Sequence, residues 1–99
     1  MRTKKLPDND VIGKAQWIWE NGNIHRTGHF DVELRNAGAT MVDAGEVLLG
    51  ECEVKKTEWN RAHRQTRYTI LGCDNKGCEM HLVVSIDVEK SELILITAF

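Results

Sequence analysis

The apolar residues change period about half-way along the chain. Up to Leu49 they recur every three or four positions, and beyond it they alternate with polar ones. In the first half, Val11, Ala15, Ile18 and Trp19 fall at helical spacing. Asp10 is placed to cap that helix, and Asn21-Gly22 is suited to end it. Trp17 and Trp19 cannot share one side of such a helix, so one is expected on the sheet and the other at an edge. A connector over 24–28 leads to Thr27, whose side chain can cap a second helix over 28–36, with Gly38 ending it. Thr40 opens a third helix over 40–49. Asp43, three residues on, can reach back in a variant of the capping box, and Met41, Ala44, Val47 and Leu48 form the apolar stripe. Gly50 closes it.

The second half contains four strand-like runs, over 49–55, 67–73, 80–88 and 93–99. Asp74-Asn75-Lys76-Gly77 is a strong hairpin signal, because these residues tolerate the backbone angles of a tight turn, and Glu89-Lys90-Ser91-Glu92 is a second. Residues 56–65 lack the alternation of a buried strand and read as an exposed hairpin or loop. The fold class expected is α+β, with two to three N-terminal helices packed on a four-stranded antiparallel β-sheet.

A length of 99 residues with 41% hydrophobic content supports one core and no second domain. Residues 1–10, polar and aperiodic, read as a flexible arm, and 11–99 as the single domain. The formal charge is −2, so the molecule as a whole does not attract nucleic acid, and local clustering of charge matters more. No apolar run approaches the roughly 18 residues that span a bilayer, and the N-terminal residues lack a signal-peptide apolar core. No membrane association and a cytoplasmic location are therefore expected. Three cysteines, Cys52, Cys73 and Cys78, make an odd set that favours reduced thiols.

One basic stretch stands out. Lys55, Lys56, Arg61, His63 and Arg64 surround Trp59, the make-up of a single-stranded nucleic-acid contact in which cations meet phosphates and an aromatic stacks on a base. Glu51, Glu53 and Glu58 dilute the same field, and a solvated hairpin carries such charge routinely. Cys73 and Cys78 flank the Asp74–Gly77 turn, with His81 three residues beyond. Zinc spacings use closer cysteine pairs and a second pair elsewhere, so neither a metal nor another cofactor is expected.

Taken together, Trp17 to Trp19, His29-Phe30, Gly38-Ala39-Thr40, Gly50-Glu51, Arg67-Tyr68 with Gly72, His81-Leu82-Val83-Val84 and Ile96-Thr97-Ala98-Phe99 resemble a bacterial domain of unknown function, number forty-two fifty-eight. The resemblance runs over roughly residues 11–99. That family is grouped with the RelE- and BrnT-like ribonuclease toxins of toxin–antitoxin systems. The resemblance implies helices set against a small antiparallel sheet, an RNA-binding or RNA-cleaving sheet face, and an antitoxin-like protein as partner. Two positions depart from the family pattern: Asn36-Ala37 stand where an arginine is usual, with Arg35 displaced toward the N-terminus, and Phe99 stands where a tyrosine is common.

Metal-independent RNA cleavage needs a base for the 2′-hydroxyl proton, an acid for the leaving oxygen and cations for the phosphorane charge. His29, His81, Arg35 and Arg67 are the candidates, on the expectation that a helix beside a sheet edge brings them to one cleft, with Thr97 adding a hydroxyl. Simpler roles stand beside these: a solvated helix face for Arg35, a cross-strand charge pair for Arg67, and strand formation for Thr97. The function expected is a toxin-like metal-independent endoribonuclease. The alternatives are a non-catalytic protein-binding module of the same fold, and a regulator with a small ligand lined by the helix-one tryptophans.

Overall fold

In the computed structural model, which describes residues 6–99, three helices lie against a five-stranded sheet. The elements run α1 (Asp8–Asn21), β1 (Asn23–Arg26), α2 (Gly28–Asn36), α3 (Met41–Leu49), β2 (Cys52–Asn60), β3 (Gln65–Cys73), β4 (Glu79–Asp87) and β5 (Glu92–Ala98). The α+β class holds. The sheet has one strand more than expected, and it is mixed: its order is β1-β5-β4-β3-β2, with β1 parallel to β5 and every other pair antiparallel. Four residues with a single aliphatic, Asn23-Ile24-His25-Arg26, carry no strand period of their own. They become a strand because β5 offers them a ladder.

The helix ends follow from local chemistry. Thr40 and Asp43 form a reciprocal capping box, with the Thr40 amide donating to Asp43 Oδ2 at 2.9 Å and the Asp43 amide donating to Thr40 Oγ1 at 3.4 Å. Helix α1 starts at Asp8, earlier than the 1–10 arm implied, and residues 1–5 of that arm lie outside the described residues. Pro7 occupies the cap position in extended backbone, so Asp10 falls within the first turn, where with Asp8 it complements the positive end of the helix dipole.

The core occupies one face of the sheet. Val11, Ala15 and Ile18 of α1, Phe30 and Leu34 of α2, and Ala44, Val47 and Leu48 of α3 form one cluster. Its strand members are Tyr68, Ile70, Met80, Leu82, Val84, Ile86, Leu93, Leu95 and Ala98, which the strand register places on a common face. Two close approaches seat the helices. A Cβ on Gly72 would come within 3.0 Å of the Val47 carbonyl oxygen, and one on Gly45 within 2.9 Å of the Trp19 ring. Trp19 thus lies on α3, not on the sheet as expected, and Trp17 is 52% exposed.

Both expected hairpins form, β3–β4 around Asp74–Gly77 and β4–β5 around Glu89–Glu92. A third hairpin, β2–β3, extends through the stretch that lacked alternation: β2 continues to Asn60, and the chain turns back over residues 61–64, Arg64 taking a φ of +52°.

Two bulges interrupt the alternation. In β2 the register steps between Val54 and Lys56, and in β5 two residues are spent opposite one step from Val83 to Val84. Thr27 braces the second bulge. Its hydroxyl donates to the Ile96 carbonyl at 3.1 Å and accepts from the Phe30 amide at 3.0 Å, while its own amide donates to the Leu95 carbonyl at 3.1 Å. One side chain caps α2 and satisfies a bulge carbonyl.

Two predictions follow from this packing. Thr27→Ala should cost about 1–2 kcal/mol in urea unfolding, with Thr27→Ser recovering most of it; an alanine variant as stable as wild type would contradict the bracing role. Tyr68 is 1% exposed, and its hydroxyl accepts the Leu6 amide at 2.8 Å. Burial pushes its phenol above the ordinary value of 10.0, with Asp8 adding to the rise and the Leu6 amide opposing it. The neutral phenol is the form the fold favours, so stability is intact below pH 10 and declines as pH rises through the ordinary tyrosine value toward the higher folded one. Denaturation midpoints from pH 8 to 11.5 should show this decline in wild type and lack it in Tyr68→Phe.

Candidate functional site: the open face of the sheet

Because all three helices join a cluster on one face, the other face of the sheet is left without a covering layer among the described residues. The pairing register arranges its side chains in rows across the strands. One row runs Phe99, His81, Leu71 and Glu53; the next runs Thr97, Val83, Thr69 and Lys56; a third holds Ile94 and Ser85, with Glu58 and Arg67 continuing it on β2 and β3. Neighbouring strands in a row are about 4.8 Å apart, and successive rows are about 7 Å apart.

The bulges decide who belongs to the middle row. Val54 faces the helices opposite Ile70, and unbroken alternation would send Lys56 the same way; the extra residue at Lys55 turns Lys56 to the open face opposite Thr69. In β5, Leu95 faces the helices, and the extra residue at Ile96 turns Thr97 out opposite Val83. Thr69 joins the same row, a position that strand alternation in β3 already encoded.

His81 sits at one end of this surface. Its backbone exchanges hydrogen bonds with Phe99, at 2.7 Å and 3.0 Å, and its imidazole stacks on the Phe99 ring with centroids 4.6 Å apart and planes within 3°. Leu71 lies opposite on the other side. Thr97 and Thr69 are diagonal neighbours of His81, within roughly 7–8 Å. Sequence reasoning missed Phe99 as a partner of His81; the signal available was an aromatic at the end of the strand that closes the sheet.

Arg67 also faces the open side, but about 13 Å along the strands from His81. Its Nε donates to Gln65 Oε1 at 3.2 Å, and its terminal nitrogen lies 3.3 Å from His63 Nδ1. His63 Nδ1 is in turn 3.0 Å from Asn60 Oδ1, which also accepts the His63 amide at 2.9 Å. Nδ1 can donate to Asn60 or accept from Arg67, not both, so the ring tautomer selects between them. Both anchors of Arg67 lie toward the hairpin tip, away from His81.

His29 and Arg35 stand apart from this face. Both are exposed on α2, whose buried side, Phe30 and Leu34, belongs to the core on the opposite side of the sheet. The single cleft joining His29 and His81 is thus not formed. The basic stretch is divided as well. Lys56 shares the open face with Arg67, whereas Trp59 pairs with Thr66 on the side that faces the helices, and Arg61, His63 and Arg64 occupy the turn. Lys55 and Lys56 are each 3.4 Å from a glutamate, Glu53 and Glu58 respectively, so part of the positive field is neutralised locally.

The described residues hold no group of three or more His, Cys, Asp or Glu side chains placed to bind a metal ion. Cys73 and Cys78 are exposed free thiols, and Cys52 is half-buried, its thiol donating to the Leu48 carbonyl at 3.4 Å. Among the described residues, no helix is long and apolar enough to cross a membrane. Comparison with protein-family models, curated proteins and solved structures gives no match for this chain.

Burial pushes the Cys52 thiol up from its ordinary value, which lowers its thiolate fraction near neutral pH. In a timed iodoacetamide reaction at pH 7.5, Cys73 and Cys78 should therefore be alkylated first and Cys52 at least several-fold more slowly, as read by peptide mass spectrometry. Equal rates at all three would refute the burial of Cys52.

Proposed function

We propose that the chain acts on RNA through the open face of its sheet, as a toxin-like, metal-independent endoribonuclease of the cytoplasm, with His81 as the proton-transfer group. The observation that carries this reading is the display of His81, Thr97, Thr69, Lys56 and Arg67 on one uncovered surface. The resemblance to the bacterial domain of unknown function, with its ribonuclease-toxin grouping, supports the same assignment. His81 removes the proton from a ribose 2′-hydroxyl; that oxygen attacks the adjacent phosphorus, and the P–O5′ bond breaks as a water molecule donates a proton to the departing O5′, which leaves a 2′,3′-cyclic phosphate and a 5′-hydroxyl end. Lys56 and Arg67 supply cations for the phosphate, Arg67 after leaving His63. Thr97 donates a hydrogen bond beside the reacting group.

A second reading, a non-catalytic protein-binding module, is favoured by a different surface. Val42 is 69% exposed, and with Trp19, Met41, Gly45 and Leu49 it lines a cavity of about 570 Å³ over α1 and α3. Exposed Trp17 extends this apolar patch past Leu49, and Glu20 and Glu46 lie around it. Contiguous apolar surface of this kind marks protein contacts more often than RNA contacts. An antitoxin-like protein with basic flanks would suit it.

The deciding assay is cleavage of a mixed-sequence RNA in the presence of a chelator. Wild type should cut and leave cyclic phosphate ends, His81→Ala should be slower by about 10²–10⁴-fold, and His29→Ala, on another layer, should cut like wild type. RNA left intact by wild type would transfer the assignment to the binding module.

A further inference from the structure

The His81–Phe99 stack has a free side. One face of the Phe99 ring is covered by the imidazole, and the residue as a whole is 58% exposed. We infer that the other face of the ring is a stacking platform for an unpaired nucleobase, which makes single-stranded RNA the substrate class. The inference rests on the RNA-directed reading of the open face.

Three features support a base over a generic apolar ligand. The ring is held in a fixed plane: the Phe99 backbone is bonded in both directions to His81, and parallel stacking on the imidazole restricts rotation of the ring. A pre-oriented aromatic loses little conformational freedom when a flat partner arrives. Sheet faces bearing exposed aromatics are a recurrent solution for splayed single-stranded bases, because every base has a π-face, whereas the bases of a duplex are stacked on each other and unavailable.

The surroundings of the stack limit where a strand can run. Glu53 and Glu79 lie at the His81 end of the face, with Glu51 close by at the mouth of the same depression, and they disfavour phosphate there. In the other direction lie the hydroxyls of Thr69 and Thr97 with Lys56 in the same row, then Arg67 beside Glu58, and beyond them Asp87 and Glu92. The threonine row with Lys56 is therefore the part of the face where a phosphate next to a base stacked on Phe99 meets least repulsion.

A duplex cannot reach this arrangement without unstacking a base, which adds an energetic cost that a single strand avoids.

The test separates binding from cutting by using a 12-nucleotide 2′-O-methyl RNA, which cannot be cleaved through its 2′-oxygen, alone and annealed to its complement. Anisotropy titrations would compare wild type, Phe99→Leu and Phe99→Trp, with thermal melts to verify that each is folded. The expected result is single-strand binding by wild type, weakened about five- to a hundredfold in Phe99→Leu, the range produced by removing one base–aromatic stack. Phe99→Trp should bind at least as tightly as wild type, and duplex should bind more weakly than single strand to wild type and respond little to either substitution. Equal single-strand affinity in wild type and Phe99→Leu, or no binding by wild type, would overturn the platform. Binding that depends on Phe99, coupled with no cutting of ordinary RNA, would uphold the platform and remove the ribonuclease assignment; cutting that is indifferent to Phe99 would do the reverse.

Discussion

Two extra residues, Lys55 in β2 and Ile96 in β5, determine the chemistry of the open face. A strand side chain changes faces at every step, so each inserted residue reverses the assignment of all that follow. Without them Lys56 and Thr97 would point into the helix layer, where a lysine would face a heavy desolvation cost. With them, both flank Val83 and Thr69 in one row. The bulge in β5 is stabilised from outside its own strand: Thr27 takes up the Ile96 carbonyl and caps α2 with the same hydroxyl. Loss of that contact would loosen the N-terminus of a helix and the register of a strand together.

The helix layer is built on close approach, and that explains why one side of the molecule is so different from the other. Gly72 admits Val47, and Gly45 admits Trp19, so α1, α3 and the sheet meet with little space between them. The buried aliphatics, Ile96 apart, are used in that contact. What remains for the other face is a set of smaller or polar groups on a rigid ladder, with Leu71, Val83 and Ile94 only partly covered. Ser85 is the exception, fully buried in the Ile94 row, with its hydroxyl unpaired among the described residues.

Electrostatics on the open face is mixed, not uniformly positive. Glutamates lie at the His81 end, Asp87 and Glu92 at the other, and Lys56 and Arg67 between them, with the pairs Lys55–Glu53 and Lys56–Glu58 tempering the positive groups. Such a surface does not concentrate a charged chain, in keeping with a molecule of formal charge −2. Arg67 is the most conditional member. Its contacts with Gln65 and His63 hold it toward the hairpin tip, and the tautomer of His63 decides whether one of them exists.

What the sequence determined by itself was everything set by neighbours within a turn or a strand. Helix α2 over 28–36 with its Thr27 cap, the Thr40–Asp43 box, the hairpin turn at Asp74–Gly77 and the alternating burial of β3 and β4 are consequences of local hydrogen bonding and period, and they occur where the residues predicted them. His81 and Arg67 were legible as candidates for the same reason, since their strand positions encode their face. Tertiary structure decided the remainder. β1 exists only through its ladder with β5, Trp19 chose α3 because Gly45 leaves room, and Lys56 and Thr97 changed sides through bulges whose extra residue has no signature in composition. His29 and Trp59 went to other surfaces than His81, and Phe99 came to lie on it. Such outcomes depend on long-range packing, in which a residue's neighbours are supplied by segments tens of positions away, and no local pattern specifies them.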